Sequence, residues 1–262
     1  MSSPTPSPAP ALLAGRVVLV TGAGQGIGAG IAAALAEAGA SVCIATRRAA
    51  TGVPTAEGLR NRGLSVTFVR CDVGSPNDVA AAVNHAVETY GGLDAVIHNA
   101  VSPSGRPGPI QTVDNATISD QISTSTTAAF AFAREAHRHL KSRKGTLILL
   151  TSPAGIEGSA NLPMYATVKG ALRGLLKSLA REWGPDGVRV NAIAPVAWTP
   201  ALKQATTDNP ELQGRLESNT PMGKIGDPEA DIGPVAVFLV SDMARHITGQ
   251  TIAVDGGRFL GL

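Results

Sequence analysis

The chain has 262 residues, 44% of them hydrophobic and 16% charged, with a formal net charge of +2. That length and apolar fraction suffice for one sizeable core and exclude a largely disordered or fibrous protein. A near-neutral balance with 3% aromatic residues carries neither the basic footprint of a nucleic-acid or membrane-surface binder nor a base-stacking platform.

Residues 1–13, MSSPTPSPAPALL, lack the basic start and apolar core of a signal peptide and read as a disordered tail before a single domain over 14–262. No apolar run approaches the ~20 residues of a membrane span, so a cytoplasmic protein is expected. An apolar run at 16–20 predicts a first strand. TGAGQGIG follows at 21–28, and then Ile27, Ile31 and Leu35 recur every fourth residue along one helix face. Strands are predicted at 41–45, 65–69, 93–98, 145–150, 188–194 and 251–254. Helices are predicted near 78–90, 120–140, 165–183 and 231–239. Strands alternating with helices indicate an α/β fold, a parallel sheet covered on both faces. Cys43 and Cys71 lie in β-like runs and read as buried small hydrophobes rather than a disulfide. The five histidines show no metal-ligand grouping, so no metal is expected.

Strand, glycine turn, helix, strand is the unit that binds dinucleotides. Gly22, Gly24, Gly26 and Gly28 allow the backbone near a pyrophosphate, and the helix start at Gln25, Gly26, Ile27 and Gly28 offers N–H groups to phosphate. The end of the second strand selects the cofactor. An acid there would hold a ribose 2′-hydroxyl, but this chain has Thr46, Arg47 and Arg48, with Glu57 the nearest acid beyond them. A guanidinium fork suits a 2′-phosphate, so NADP (NADPH) is favoured over NAD, with Arg48 read as solvated. Asp72, beside Val73, reads either as an acceptor for an adenine amino group or as a turn or cap aspartate. His98, before Asn99 and Ala100 at the end of the fourth strand, reads as a neutral, hydrogen-bonded histidine.

A second constellation follows the fifth strand. Ser152 ends that strand, while Tyr165 and Lys169 are four apart on a helical segment and share a face. A hydroxyl, a phenol and an amine at the mouth of a sheet make a proton-transfer set. An isolated tyrosine near pKa ~10 is a poor base at neutral pH, and a nearby ammonium stabilises its phenolate.

Taken together, TGAGQGIG at 21–28, CDV at 71–73, HNA at 98–100, Ser152, YATVK at 165–169, NAIAP at 191–195 and SD…ITGQTIAVDGG at 241–257 resemble the short-chain dehydrogenase/reductase family over nearly all of 14–262. The resemblance implies a single-domain, doubly wound, Rossmann-like sheet, with a dinucleotide-binding half at about 14–150 and a catalytic and substrate half at about 151–262. It implies an NAD(P)-dependent oxidoreductase acting on a small-molecule carbonyl or secondary alcohol. Tyr165 would be the general acid/base, Lys169 would lower its pKa and hold the nicotinamide ribose, and Ser152 would bond the substrate oxygen. Asn99, Ala100, Pro195, Trp198 and Thr199 would lie along the cofactor.

Departures from the family pattern accompany the matches. Ser125 stands where an asparagine usually relays protons, Val101 and Val196 replace glycines, and Thr199 arrives one residue early. They leave open a second class, a cofactor-binding sensor or partner with little turnover. Substrate contacts are expected from 101–109, 156–164 and 198–222, the last a polar, mobile lid with a short helix. Trp198 reads equally as a pocket wall or a packing residue. Arg106, Lys203 and Arg215 are loop cations expected to be solvated. A homo-oligomer, commonly a tetramer, is implied, packed through helices at about 120–140 and 165–183.

Overall fold

A computed structural model describes residues 11–102, 104 and 107–259. Its centre is a seven-stranded parallel sheet in the order β3-β2-β1-β4-β5-β6-β7. The strands are β1 (Val17–Thr21), β2 (Ser41–Thr46), β3 (Val66–Arg70), β4 (Ala95–His98), β5 (Thr146–Leu150), β6 (Arg189–Pro195) and β7 (Thr251–Val254). The helices are α1 (Gly26–Glu37), α2 (Ala49–Asn61), α3 (Pro76–Tyr90), α4 (Asn115–Gln121), α5 (Ala128–Arg143), α6 (Ala154–Glu157), α7 (Pro163–Trp183), α8 (Pro200–Asp208), α9 (Glu211–Ser218) and α10 (Gly233–Val240).

Strand periodicity divides the core. Val17 and Leu19 of β1 and Leu147 and Leu149 of β5 join one apolar cluster with residues of α3, α5 and α7. Val18, Val20, Ile148 and Leu150 point the other way, into a cluster with α1, α2 and α10. Burying each such side chain contributes about 1.5–3 kcal/mol. The central strands β1, β4 and β5 are therefore buried throughout, whereas the edge strands β3 and β7 are only partly buried. β1 pairs with both β2 and β4, so the chain reverses direction across the sheet there. In sheets of this order a ligand crevice is expected outside the carboxyl ends of the strands at that reversal, here β1 and β4.

Four expectations are corrected. Residues 1–10 lie outside the described residues, but the expected disordered tail does not reach residue 13: Leu13 is fully buried and its N–H donates to the Ala38 carbonyl at 2.8 Å. The helix α2 was not legible, because Gly52, Pro54, Gly58 and β-branched neighbours suppress helix propensity. Packing overrides that deficit through buried Gly52, Ala56 and Leu59. The helix expected at 120–140 is longer and composite, running through a π-helical turn at Ile122–Thr127 between α4 and α5. The segment at 198–222, expected as a lid with one short helix, holds two helices, α8 and α9. Cys43 and Cys71 are buried and free, as expected.

One contact fixes how α1 meets the segment before α10. A Cβ added at Gly30 would lie 2.4 Å from the Pro228 carbonyl carbon and 2.6 Å from the Glu229 nitrogen, so main chain would have to move. Alanine gains about 1 kcal/mol of helix propensity over glycine, but a clash with backbone outweighs it. Gly30→Ala is expected to lower the unfolding free energy by about 1–3 kcal/mol, read as a lower urea midpoint. An unchanged or higher midpoint would refute the close-contact account.

Candidate active site

The glycine turn sits where the sheet reverses. Gly22 and Gly26 have φ of +65° and +57°, backbone that side-chain-bearing residues rarely adopt. The other two are fixed by proximity: a Cβ at Gly28 would lie 2.5 Å from Asn99 Nδ2, and one at Gly24 would lie 2.6 Å from Thr51 Oγ1 of α2. Asn99 donates its side-chain amide to the Thr21 and Gly22 carbonyls at 3.0 and 3.2 Å. The N–H groups of Asn99 and Ala100 both donate to Thr21 Oγ1 at 3.0 Å. Asn99 and Ala100 thus brace the turn from β4.

Whether this turn fits a dinucleotide is read from the first turn of α1. Gln25 stands at its N-cap without a side-chain cap, and no acid lies in that turn. Its leading N–H groups are left for an anion, with Ile27 half-buried behind them. Thr46 ends β2, and Arg47 and Arg48 beyond it are exposed, with no carboxylate on the strand end. The residues fit a phosphate-rich dinucleotide. Asp72 accepts from the Gly74 N–H at 3.0 Å, which makes it a turn aspartate, while Val73 beside it is buried.

The second constellation converges on the same crevice. After β5, Ser152 leads into α6, whose Gly155 lies against α7. A Cβ there would be 2.6 Å from the Lys169 carbonyl carbon. That close approach sets Ser152 near Tyr165, close enough for its hydroxyl to act on the phenol. Ser152 Oγ also accepts from the Ala154 N–H at 3.2 Å. One turn along α7, the buried Lys169 Nζ donates to the Leu150 carbonyl at 2.6 Å and lies 5.5 Å from the Tyr165 ring centroid. Gly155 was missed by sequence reasoning. Its only signal was a glycine in the stretch between the serine and the tyrosine.

Desolvation sets the protonation of this group. Burial raises the Tyr165 phenol above its ordinary value, and the Ser152 hydrogen bond opposes it. Lys169 is driven down to about 8 by burial alone. His98 is buried and held near 4, first by burial and then by the positive charge of Lys169. It is the neutral histidine expected.

The remaining predicted residues lie on several elements. Ser125 is buried within the π-helical turn. Pro195 ends β6. Trp198 is half-buried, and its N–H donates to the Gly226 carbonyl at 2.9 Å. Thr199 caps α8 through the Leu202 N–H at 3.1 Å. Thr199 and Pro200 face Gly26, so the segment at 198–222 starts against the glycine turn. Its far end is held where the Met222 N–H donates to the Gly256 carbonyl and Arg258 donates to the Leu216 carbonyl, at 3.1 and 3.3 Å. Val101, Lys203 and Arg215 are exposed, and Arg106 lies outside the described residues. A groove of about 880 Å³ between α1 and α10 lies elsewhere and is lined by none of Ser152, Tyr165 or Lys169. Among the described residues no His, Cys, Asp and Glu cluster forms a metal site, and no helix is long and apolar enough to cross a membrane.

Comparison with known proteins agrees with this geometry. Residues 22–258 match the family model described as Enoyl-(Acyl carrier protein) reductase. A 12alpha-hydroxysteroid dehydrogenase from Clostridium sp. is 35% identical, over 93% of this chain and 96% of that protein. An L-fucose dehydrogenase from Oryctolagus cuniculus is 34% identical, over 96% of this chain and 87% of its own length. A crystal structure from Sinorhizobium meliloti, described as a short-chain alcohol dehydrogenase, superposes with a TM-score of 0.89 at 35% identity, covering 97% of this chain and 100% of that one.

A buried ammonium destabilises the folded chain wherever it must stay protonated. With its pKa lowered from 10.5 to about 8 on folding, Lys169 costs stability below pH 8. The cost fades as pH rises from 8 toward 10.5, where the unfolded chain loses the same proton. Lys169→Met is therefore expected to be more stable than wild type at pH 7, by on the order of 2–3 kcal/mol. The gap should close toward pH 10. Urea unfolding at both pH values checks this, and an equal gap at each would contradict it.

Proposed function

The chain belongs to the short-chain dehydrogenase/reductase family of oxidoreductases, and on that premise we propose that it is an NADP-dependent carbonyl reductase or secondary-alcohol dehydrogenase with Tyr165 as general acid/base. The observation that carries this reading is the convergence of Ser152, Tyr165 and the buried Lys169 at the end of β5, facing the glycine turn. When bound, the dinucleotide supplies the hydride that adds to a carbonyl carbon. The chain's own residues manage the proton. Ser152 donates a hydrogen bond to the carbonyl oxygen and holds it near the phenol. Tyr165 gives that oxygen its proton, and Lys169 stabilises the phenolate left behind. Oxidation of an alcohol reverses both transfers.

Burial raises the phenol, so Tyr165 enters a reductive cycle in its protonated, donating form. The leading N–H groups of α1 would carry the pyrophosphate, and Arg47 the 2′-phosphate. Pro195, Trp198 and Thr199 would border the nicotinamide. We place the chain in the cytoplasm. A pair of copies would join through the outer faces of α5, where Phe130 is half exposed, and α7.

The test is reduction of a ketone panel with purified protein and NADPH. Tyr165→Phe is expected to reduce turnover by about 10²-fold or more while NADPH still binds. If Tyr165→Phe leaves turnover unchanged, or wild type binds NADPH and reduces nothing, the sensor reading replaces this one. Cofactor choice is tested separately. Arg47→Ala is expected to weaken NADPH by about tenfold or more, with much less effect on NADH. Equal weakening of both would remove the 2′-phosphate assignment.

A further inference from the structure

His98 belongs to neither constellation, yet it bridges the start of the glycine turn and the π-helical turn at Ile122–Thr127. On one side its Nδ1 lies 3.2 Å from Thr21 Oγ1, and on the other its Nε2 lies 3.1 Å from the Ser125 carbonyl oxygen. The tautomer follows from counting. Thr21 Oγ1 already accepts from the N–H groups of Asn99 and Ala100, which occupies both of its lone pairs. Its own hydrogen must therefore be donated, and His98 Nδ1 is the acceptor in reach. The imidazole proton then sits on Nε2 and is donated to Ser125. Both ring nitrogens are committed, with Phe132 packed beside the ring at 5.8 Å between centroids. Lys169, the charged side chain acting on the ring, disfavours a second proton.

The π-helical turn explains why Ser125 offers a carbonyl. The Ala128 N–H reaches back to the Ser123 carbonyl, five residues away, and is shared with that of Ser125, three away. A shared donor leaves the Ser125 oxygen with acceptor capacity, and the turn packs against α7, which carries Lys169.

Resting on the reading of Tyr165 and Lys169 as the proton-transfer pair, we propose that His98 is a positioning residue. It is a permanently neutral Nε2–H imidazole that ties the Ser125 carbonyl to Thr21 and so holds the wall facing Lys169, contacting neither cofactor nor substrate. Loss of that tie would let the π-helical turn shift under Lys169 and slow proton transfer while leaving the glycine turn able to bind.

Three variants and one spectrum test this. His98→Leu removes the donor, His98→Gln restores an N–H at similar reach, and Tyr165→Phe is the control for chemistry. His98→Leu is expected to lower kcat by about tenfold or more, with NADPH affinity by fluorescence titration changed less than about threefold and most of kcat recovered in His98→Gln. Nitrogen NMR of wild type should show His98 as the Nε2–H tautomer, not titrating between about pH 6 and 8. An Nδ1–H tautomer, titration in that range, or a glutamine variant no better than leucine would overturn the proposal. If His98→Leu does not fold, the spectrum and the glutamine variant still decide. Wild-type kcat in His98→Leu alongside an inactive Tyr165→Phe would sink the positioning role alone. A fully active Tyr165→Phe would instead bring down the proton-transfer reading and the proposal with it.

Discussion

The Thr21 hydroxyl is the junction on which this site depends. It stands at the end of β1, fully buried, and receives two backbone N–H groups from the chain leaving β4. Asn99 answers from the other side by donating its amide to the carbonyls of Thr21 and Gly22. β1 and β4 are neighbours in the sheet but far apart in sequence, and their ends must separate to leave a crevice. Side-chain hydrogen bonds replace the ladder where the strands stop pairing, so the crevice opens without buried donors going unmet. The glycine turn inherits its shape from that brace.

Burial accounts for the electrostatics beyond the brace. Lys169 gives up hydration for one short bond to the Leu150 carbonyl and the nearby face of Tyr165. The cost appears as a lowered lysine pKa, a raised tyrosine pKa, and a histidine kept neutral within reach of the lysine's charge. Desolvation disfavours the charged form in each case. Withholding water thus sets the protonation of these groups, at the expense of stability that the apolar sheet behind them supplies.

One departure from the family pattern, Ser125, lies in this region against a residue of a matching motif. Ser125 occupies a π-helical turn, and His98 leads the HNA motif. In the structure these two residues meet. Val196 stays in line with the sheet through its N–H bond to the Val254 carbonyl, whereas Val101 is exposed beside the crevice.

Much of this was legible in the sequence because it is written in local periodicity. Alternating and continuous apolar runs marked the strands, and β7 at 251–254 matched to the residue. The four-residue spacing of Tyr165 and Lys169 placed them on one helix face, and four glycines after an apolar strand announced the turn. What stayed hidden depends on partners distant in the chain. α2 folds because Ala56 and Leu59 find a core, against its own propensity. Leu13 is ordered because it has a pocket to fill, and Gly155 matters because α7 passes beside it. The tautomer of His98 follows from a threonine 77 residues earlier and a carbonyl 27 residues later. The sequence by itself determined the residue types and their local periodicity, and with them the elements and the chemistry they carry. Only the tertiary structure decided which hydrogen-bonding groups meet and which charges lose their water, because both depend on contacts between segments that are remote along the chain.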